Sequence, residues 1–271
     1  MSRLTEKDIE NTAKALREND GKYRALMGAG IREIAAYAVD FKGRIPAFKC
    51  AVVPVTSGQG IIGNFSETVC AILAYCGAEA YVTDKTDVAG IWQAYGRDAD
   101  LIFMADDDVC AAFGTRGRIR SDNGYATGIG FAAALDLMSG SPQDVIVLGA
   151  GPVGQAAAKY LDQKGWTVFM YDPVFEKTEE ALKKAPGIRV LHAPGGYKQH
   201  CHILCAANAG GIITAADVTA RTHISAPGIP LGVTHKAAEI ARVFHNPLEL
   251  GIAVMLHHCA KQYQGVKNDR Y

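Results

Sequence analysis

Short apolar runs alternate with amphipathic segments through the second half of the chain, and this alternation is typical of an α/β protein. The apolar runs are three to five residues long and lie between polar or glycine-rich residues, as expected for buried parallel strands. Strands are predicted at residues 145–148, 168–171, 189–191, 202–206, 223–226 and 243–245. Helices are predicted between them at 155–164, 176–184 and 236–241, with a helical turn near 215–219. The order predicts a doubly wound, mainly parallel sheet.

A smaller alternating pattern occupies the first half of the chain. Strands are predicted at 50–55, 79–83 and 100–105, with helices at 66–76 and 88–95 between them. Two helices precede the first strand. The first should begin after Thr5, which can form a capping box with Asp8, and should end near Glu18 because Asn19-Asp20-Gly21 follows. The second is predicted at 26–39.

The centre of the chain predicts a connection between two domains. Residues 116–123 (RGRIRSDN) are expected to form a charged surface turn, and residues 127–138 an apolar helix that links the halves. Ser139-Gly140-Ser141-Pro142 then marks the boundary. We therefore predict an N-terminal α/β domain over 1–139 and a second domain over 140–271, whose apolar C-terminal helix at 249–263 packs back across the molecule.

The first strand of the second half ends in a glycine-rich motif, Gly149-Ala150-Gly151-Pro152-Val153-Gly154. In this G-x-G-x-x-G, Gly149 permits a tight turn, Gly151 lets a diphosphate approach the backbone, and Gly154 allows close packing of the helix on the strand. Pro152 and Val153 complete the loop. The N–H groups at the start of the following helix favour phosphate. The motif therefore predicts a dinucleotide-binding loop.

Asp172 ends the second strand of this half, 23 residues after Gly149. The usual spacing is about 20 residues for a carboxylate that accepts hydrogen bonds from the adenosine ribose. A carboxylate there repels a 2′-phosphate, so NAD is favoured over NADP. The motif alone is weak evidence, because glycine-rich turns share it. With the strand, the helix and the acid, it predicts a Rossmann domain that binds NAD.

Ligands of open α/β sheets bind beyond the carboxyl ends of the strands. Two loops in the second half meet this description, Ala207-Asn208-Ala209-Gly210 and Pro227-Gly228-Ile229-Pro230. We predict that Ala207, Asn208, Pro227 and Ile229 contact the cofactor at its nicotinamide end. The alternative is that the second loop is only a rigid turn.

The polar, glycine-rich loop at residues 57–67 (SGQGIIGNFSE) is the main candidate site outside the dinucleotide motif. Its backbone N–H groups and the start of the next helix favour an anion, such as a substrate carboxylate. The absence of a Lys-Ser/Thr ending argues against a nucleoside triphosphate. We predict that Ser57, Gly60, Ile61, Ile62 and Phe65 contact the substrate. An ordinary helix cap and turn is the alternative.

Three carboxylates, Asp106, Asp107 and Asp108, directly follow a predicted strand. Such a run often caps a neighbouring element and is solvated. The alternative is that one of them points into the cleft, where it would hold a substrate ammonium or act as a base, because crowded carboxylates raise one another's pKa. Its position at the strand end makes Asp106 the predicted catalytic residue.

Composition limits the classes of partner. The 271 residues contain 28 basic and 28 acidic side chains, which argues against nucleic acid or an anionic membrane as the main partner. No apolar run approaches the roughly 20 residues of a membrane span, and the first ten residues lack the apolar core of a signal peptide. Seven cysteines without a C-x-x-C pair predict reduced thiols in a cytoplasmic protein.

A His/Cys cluster resembles a metal site by composition alone. On a strand, His200 and His202 share one face, whereas Cys201 and Cys205 share the other. The four side chains cannot converge without distortion, so we predict part of a buried strand and no metal.

Three stretches resemble the PylD family of pyrrolysine biosynthesis dehydrogenases: residues 53–67 (VPVTSGQGIIGNFSE), 104–107 (MADD) and 225–230 (SAPGIP). The resemblance covers nearly the whole chain, and the first stretch is far more specific than the dinucleotide motif. It implies that Leu4, at the head of the first helix, lines the substrate cavity. Residues 246–251 match the family only loosely, so no catalytic role is predicted there.

The resemblance also implies a reaction. Members of the family use NAD to oxidise 3-methyl-D-ornithyl-N6-L-lysine at the carbon that bears the terminal amine of its ornithine part. The resulting imine exchanges ammonia for water to give a semialdehyde, on which the remaining α-amine closes the pyrroline ring of pyrrolysine. A cation in this substrate needs a carboxylate, which Asp106 would supply.

Two other classes of function stay open at this point. One is another two-domain NAD(P)-dependent dehydrogenase, of the shikimate or methylene-tetrahydrofolate type, which shares the layout but is not expected to carry the loop at 57–67. The other is a non-catalytic NAD-binding sensor. The expected partner is a small, dipeptide-like substrate. The sequence is compatible with a homodimer but does not determine the oligomeric state.

Overall fold

The structure is a computed structural model, and it describes residues 4–192 and 200–268, with the backbone alone at 266–268. The chain begins with three helices, α1 (Glu6–Ile9), α2 (Thr12–Met27) and α3 (Ile31–Ala38). The rest of the first half comprises β1 (Lys49–Val53), α4 (Phe65–Tyr75), β2 (Glu79–Val82), α5 (Asp87–Gly96), β3 (Leu101–Ala105), β4 (Cys110–Gly114), β5 (Arg120–Asp122) and α6 (Asn123–Ser139).

The first half contains a five-stranded mixed sheet in the order β2-β1-β3-β4-β5. The first three strands in sequence are parallel, and β4 and β5 extend the sheet by antiparallel pairing. One face of β1 and β3 packs into the main core, whereas the other forms a small separate cluster beneath α5.

The second half forms a six-stranded sheet. Its elements are β6 (Asp144–Leu148), α7 (Pro152–Gln163), β7 (Thr167–Tyr171), α8 (Phe175–Lys184), β8 (Arg189–Val190), β9 (His202–Cys205), a 3₁₀ turn (Ala215–Asp217), β10 (His223–Ala226), α9 (His235–Ala238), β11 (Arg242–His245) and α10 (Glu249–Asn268). The strand order is β11-β10-β9-β6-β7-β8, and every pairing is parallel. This is the doubly wound order of a Rossmann domain, so the predicted α/β class is confirmed.

Helix α6 joins the two halves and is buried around most of its circumference. Its Asp136 carboxylate accepts a hydrogen bond from Tyr37 Oη of α3 (2.6 Å) and another from Trp166 Nε1, which directly precedes β7 (2.8 Å). Helix α10 then packs against α3 and α4, in the first half. The two sheets lie on either side of residues 139–140, and a domain division there stays a prediction.

The predicted end of the first helix, near Glu18, is wrong. The Thr5–Asp8 capping box is present, but the chain forms two helices, and α2 continues through Asn19-Asp20-Gly21 to Met27. Side-chain contacts overcome the local turn signal. Asp20 Oδ1 accepts from the Ile31 N–H at the start of the next helix (2.8 Å), and Asp20 Oδ2 accepts from Arg24 Nε in the next turn of the same helix (2.9 Å). Gly28 in a left-handed conformation caps α2, so the next helix begins five residues later than predicted, at Ile31.

The predicted surface turn at 116–123 is also wrong in part. Arg120–Asp122 is strand β5, and Asn123 is already the first residue of α6. Strand β4 was not predicted at all, since two of its five residues (CAAFG) are alanine and one is glycine, which have low strand propensity, and only Ala112 in its centre is buried. Among the described residues, no helix is long and apolar enough to cross a membrane.

Candidate active site

The dinucleotide motif forms the turn between β6 and α7. Gly149 has a φ of +96°, in the left-handed region that favours glycine. A Cβ on Gly154 would lie 1.9 Å from the carbonyl oxygen of Gly149, so α7 packs against the loop at a distance that excludes any side chain. Both glycines are therefore required by the local geometry.

The outer side of the same loop is open. No heavy atom lies within 4 Å of a Cβ built on Gly151. Gly151 occupies the N-cap position of α7, with Pro152 at the first helical position, and a glycine has no side chain to accept hydrogen bonds from the first N–H groups. An open approach and a helix N-terminus together fit the diphosphate of a dinucleotide.

Asp172 lies directly after β7, beside this loop. Its Oδ2 accepts a hydrogen bond from the Ala150 N–H (2.7 Å), and its Oδ1 accepts from the Val174 N–H (2.8 Å). A carboxylate oxygen can accept more than one hydrogen bond, so these contacts leave capacity for ribose hydroxyls. Asp172 therefore lies at the predicted ribose position and also holds the dinucleotide loop through the Ala150 N–H.

Gln155 was missed by the sequence reasoning. It is buried at the start of α7, where Gln155 Nε2 donates to the Ala150 carbonyl (2.9 Å) and Gln155 Oε1 accepts from Lys184 Nζ (2.5 Å). Side chains thus hold both backbone polar groups of Ala150, the N–H by Asp172 and the carbonyl by Gln155. The sequence feature that could have indicated a role for Gln155 is its position immediately before three alanines, on a helix predicted to pack closely on its strand.

A cleft opens between the two halves of the molecule. Most of the predicted substrate residues line it from the first half: Leu4, Gly60, Ile61, Ile62, Phe65 and Asp106. Four of the predicted cofactor residues line it from the second half: Val153, Asn208, Pro227 and Ile229. Ser57 and Ala207 are not among the described residues that line the cleft, although their neighbours Gly60 and Ala206 are. The other predicted cofactor residues do not line the cleft; they form the dinucleotide loop next to Val153 and its contact with the strand end, and they are Gly149, Gly151, Pro152, Gly154 and Asp172.

Other lining residues were not predicted. The turn between β3 and β4 contributes Asp107, Asp108 and Val109, and the start of α6 contributes Asn123 and Thr127. Pro247, Leu248 and Ile252, around the start of α10, complete this wall. The C-terminal helix was predicted to pack back across the molecule, but residues 246–251 matched the family only loosely, so no residue around its start was predicted to line the cleft.

Asp106 caps the turn between β3 and β4 and also faces the cleft. Its Oδ1 accepts from the N–H groups of Asp108 (2.9 Å) and Val109 (2.7 Å). These backbone donors hold the pKa of the Asp106 carboxyl below its usual value. The expectation of a pKa raised by the neighbouring acids is therefore wrong. A carboxylate that stays ionised is suited to stabilising a cation and poorly suited to accepting a proton.

Two carboxylates hold the start of the glycine loop and the residue before it. Asp107 Oδ2 accepts from the Gln59 N–H (2.8 Å). Asp87, at the start of α5, accepts from the Thr56 N–H (2.9 Å) and from Thr56 Oγ1 (2.7 Å). These two backbone donors are engaged by the protein itself, so a substrate anion would have to use others. The contacts fix the loop against the β3–β4 turn and α5.

The histidine-rich stretches lie only partly in the core. The buried strand predicted for the first of them begins at His202, whereas Cys201 precedes it and is exposed. His202 is buried with its ring edge against Trp166, and His257 Nδ1 lies 2.7 Å from the Ala253 carbonyl. Burial lowers the pKa of both histidines. Within residues 4–192 and 200–268, no group of three or more His, Cys, Asp or Glu side chains is arranged to hold a metal ion.

Comparison with known proteins identifies the family. A family model described as pyrrolysine biosynthesis protein PylD, N-terminal domain, matches residues 8–119. Over 264 residues the chain is 34% identical to the pyrrolysine synthase of Methanosarcina acetivorans, a match that covers 95% of this chain and 99% of that protein. The chain belongs to the pyrrolysine synthase family. The pyrrolysine synthase of Methanosarcina barkeri is 33% identical over 262 residues, covering 95% of this chain and 97% of that protein.

Solved structures share the architecture at low sequence identity. Shikimate dehydrogenase from Aquifex aeolicus superposes with a TM-score of 0.55 at 14% identity, covering 81% of this chain and 93% of that chain. Quinate dehydrogenase from Corynebacterium glutamicum, in complex with NAD, gives a TM-score of 0.55 at 10% identity, covering 81% and 94%. The shared feature is the fold. The family resemblance and the two-part α/β architecture predicted from the sequence are both confirmed.

Proposed function

We propose that this protein is an NAD-dependent amine dehydrogenase that completes pyrrolysine biosynthesis. Its substrate would be 3-methyl-D-ornithyl-N6-L-lysine, oxidised at the carbon that bears the terminal amine. Two relatives named pyrrolysine synthase, similar over nearly their whole length, support this assignment. The fold likeness to shikimate and quinate dehydrogenases does not favour their substrates, because identity to them is only 10–14%.

The main support for the proposal is that predicted cofactor residues and predicted substrate residues line the same cleft. Asn208, Pro227 and Ile229, from loops at the carboxyl ends of the Rossmann strands, share the cleft with Asp106 and Ile61 of the other half. A substrate held by the first half would therefore face the predicted nicotinamide end of the cofactor site. When bound, NAD would accept a hydride from the amine-bearing carbon.

Asp106 is expected to act electrostatically. Oxidation of an amine develops positive charge at the carbon and nitrogen that form the iminium. An ionised carboxylate in the same cleft stabilises that charge more than it stabilises a neutral amine, which lowers the barrier. The low pKa of Asp106 keeps the carboxylate ionised for this task. Water then replaces ammonia at the imine carbon, and the aldehyde reacts with the α-amine of the same molecule, a step that needs little beyond confinement.

Apolar side chains fit the aliphatic part of this substrate. Leu4, Ile62 and Phe65 line the cleft near the glycine loop, where they would exclude water from the hydrocarbon chain. Asp172 supports NAD over NADP, because its carboxylate lies beside the dinucleotide loop and would repel a 2′-phosphate.

The deciding experiment is incubation of the purified protein with the methylornithyl-lysine dipeptide and NAD, followed by NADH absorbance and by product mass. NADH formation together with the mass of pyrrolysine is expected. NADH formation only with an alcohol substrate such as shikimate would replace this proposal by a fold-related dehydrogenase. NAD binding without turnover of any substrate would indicate a sensor.

A pair of variants tests Asp106 in the same assay. Asp106→Asn keeps the size of the side chain and removes its charge, so turnover should be lost while NAD binding is retained. Asp108→Asn removes a carboxylate from the same turn and should retain most of the turnover, because the assigned role belongs to the residue at the strand end. Equal activity of both variants would remove Asp106 from the mechanism.

A further inference from the structure

Helix α5 contributes no described residue to the lining of the cleft, and it carries an exposed apolar stripe. Val88 is 78% exposed, Trp92 is 81% exposed and Tyr95 is 50% exposed. Their spacing of four and three residues places them on one face of the helix. A tryptophan this exposed is unusual, because tryptophan is highly buried on average, and a contiguous apolar stripe of this kind marks an interaction surface.

The opposite face of α5 accounts for its packing within the chain. Ala94 is fully buried above the sheet, and a Cβ on Gly90 would lie 2.6 Å from Val53 Cγ1 of β1. The helix therefore contacts its own sheet through Gly90, Ala94 and the partly buried Ile91, and it directs Val88, Trp92 and Tyr95 outward. A surface helix normally exposes its polar face, so this second, exposed apolar face is unusual.

The exposed stripe is complementary to itself. Trp92 has Ala89 one turn before it and Gly96 one turn after it, and all three residues are exposed. No heavy atom lies within 4 Å of a Cβ built on Gly96. When two copies of α5 pair antiparallel about a two-fold axis near residue 92, the two indoles face each other across the axis. Val88 and Tyr95 of one copy then lie opposite the small residues Gly96 and Ala89 of the other.

The charges at the helix ends agree with the same pairing. Lys85 precedes α5 and Asp98 follows it, and both are exposed. Antiparallel pairing brings Lys85 of one copy towards Asp98 of the other, twice per pair, so opposite charges meet at both ends. We propose that the α5 face, defined by Lys85, Val88, Trp92, Tyr95 and Asp98, forms the centre of a two-fold symmetric homodimer interface.

The area of this face is compatible with the centre of a dimer interface. Aromatic side chains bury about 150–250 Å² each, and a standard interface buries about 800 Å² per partner. Trp92, Tyr95 and Val88 supply a substantial share of that area. The rest would come from the flanking residues, including Arg97, whose guanidinium lies 5.4 Å from the ring centroid of Tyr81 on the edge strand β2.

Analytical ultracentrifugation of the full-length protein over a range of concentrations tests the proposal. The wild type should show a reversible monomer–dimer equilibrium, and Trp92→Ala should weaken the association by at least about tenfold, as expected for the central aromatic residue of an interface. Ile240→Ala is the matched control, because Ile240 is also exposed, at 41%, but lies outside the α5 face. It should associate like the wild type.

Charge variants test the antiparallel orientation. Lys85→Glu should weaken the dimer because it places a negative charge opposite Asp98 of the other copy, at both ends of the interface. Adding Asp98→Asn should recover part of the association, and asparagine tolerates the positive φ of 54° at that position. A wild type that stays monomeric at high concentration would overturn the proposal and leave the face to a different protein. A dimer unaffected by Trp92→Ala would overturn it as well.

Discussion

Substitution by alanine should have different effects at two glycines of the dinucleotide loop. It should reduce stability at Gly154 and cofactor binding at Gly151. A Cβ on Gly154 would lie 1.9 Å from the Gly149 carbonyl oxygen, whereas a Cβ on Gly151 would meet nothing within 4 Å. Gly151 has φ −71° and ψ −177°, which alanine adopts without strain. Gly154→Ala therefore perturbs the fold, and Gly151→Ala perturbs only the surface that a diphosphate would approach.

The geometry sets the expected size of each effect. Real Cβ atoms essentially never come within 3.0 Å of another heavy atom, so Gly154→Ala must move α7 away from the loop by about 1 Å. Such overpacking against backbone costs about 1–3 kcal/mol, a large part of a typical stability of about 5–15 kcal/mol. Gly151→Ala should change the free energy of unfolding by less than about 0.5 kcal/mol, yet weaken NADH binding by at least about tenfold.

Urea denaturation and NADH fluorescence titration measure the two quantities on the same samples. The expected result is a lower unfolding midpoint for Gly154→Ala and a normal midpoint with weak NADH binding for Gly151→Ala. Wild-type NADH affinity in Gly151→Ala would refute the placement of the diphosphate on this loop. Wild-type stability in Gly154→Ala would refute the close packing of α7.

Three further predictions concern single contacts. Asp172→Ala should weaken NAD binding by about 1–3 kcal/mol through the loss of charge-assisted hydrogen bonds, as measured by calorimetry; unchanged affinity would contradict the assignment of this strand end. Tyr23→Phe should lower the free energy of unfolding by about 1–3 kcal/mol in urea denaturation, because Tyr23 Oη donates to the buried carboxylate of Glu249 at 2.8 Å; no loss would mean that this hydrogen bond does not stabilise the fold. Burial lowers the pKa of His202 and His257 below the ordinary value of 6.5, so the unfolded chain takes up protons first as the pH falls. This contribution to stability should be complete above about pH 6.5 and be lost below it, and a urea midpoint that does not fall between about pH 7.5 and 5.5 would contradict it.

The sequence predicted the Rossmann half more accurately than the first half. The second half consists of buried strands that each end at a turn, so hydrophobic runs and glycines specify it locally. The errors lie where tertiary contacts override local signals. Helix α2 continues through Gly21 because the side chains of Asn19 and Asp20 find partners outside the helix, at Glu249 and Ile31. A local pattern carries no information about such partners.

The candidate site shows the same limit. The sequence places Asp106 at a strand end facing a cleft, but its protonation depends on the N–H groups of Asp108 and Val109, which only the turn geometry reveals. Gln155 was missed for a similar reason, since its role depends on the carbonyl of Ala150 and on Lys184 of the neighbouring helix. Residue type can indicate the chemistry of a site, whereas the contacts that tune it depend on the folded chain.

The position of α6 has a consequence for how the cleft could close. A Cβ on Gly128 would lie 2.4 Å from the Val153 carbonyl oxygen, so α6 rests directly on the dinucleotide loop. Asp136 joins Tyr37 of one half to Trp166 of the other, and Ser225 Oγ donates to the Phe131 carbonyl (2.7 Å). A hinge between the halves would have to break these contacts. We therefore expect only small changes in the distance between the predicted cofactor and substrate sites when the cleft is occupied.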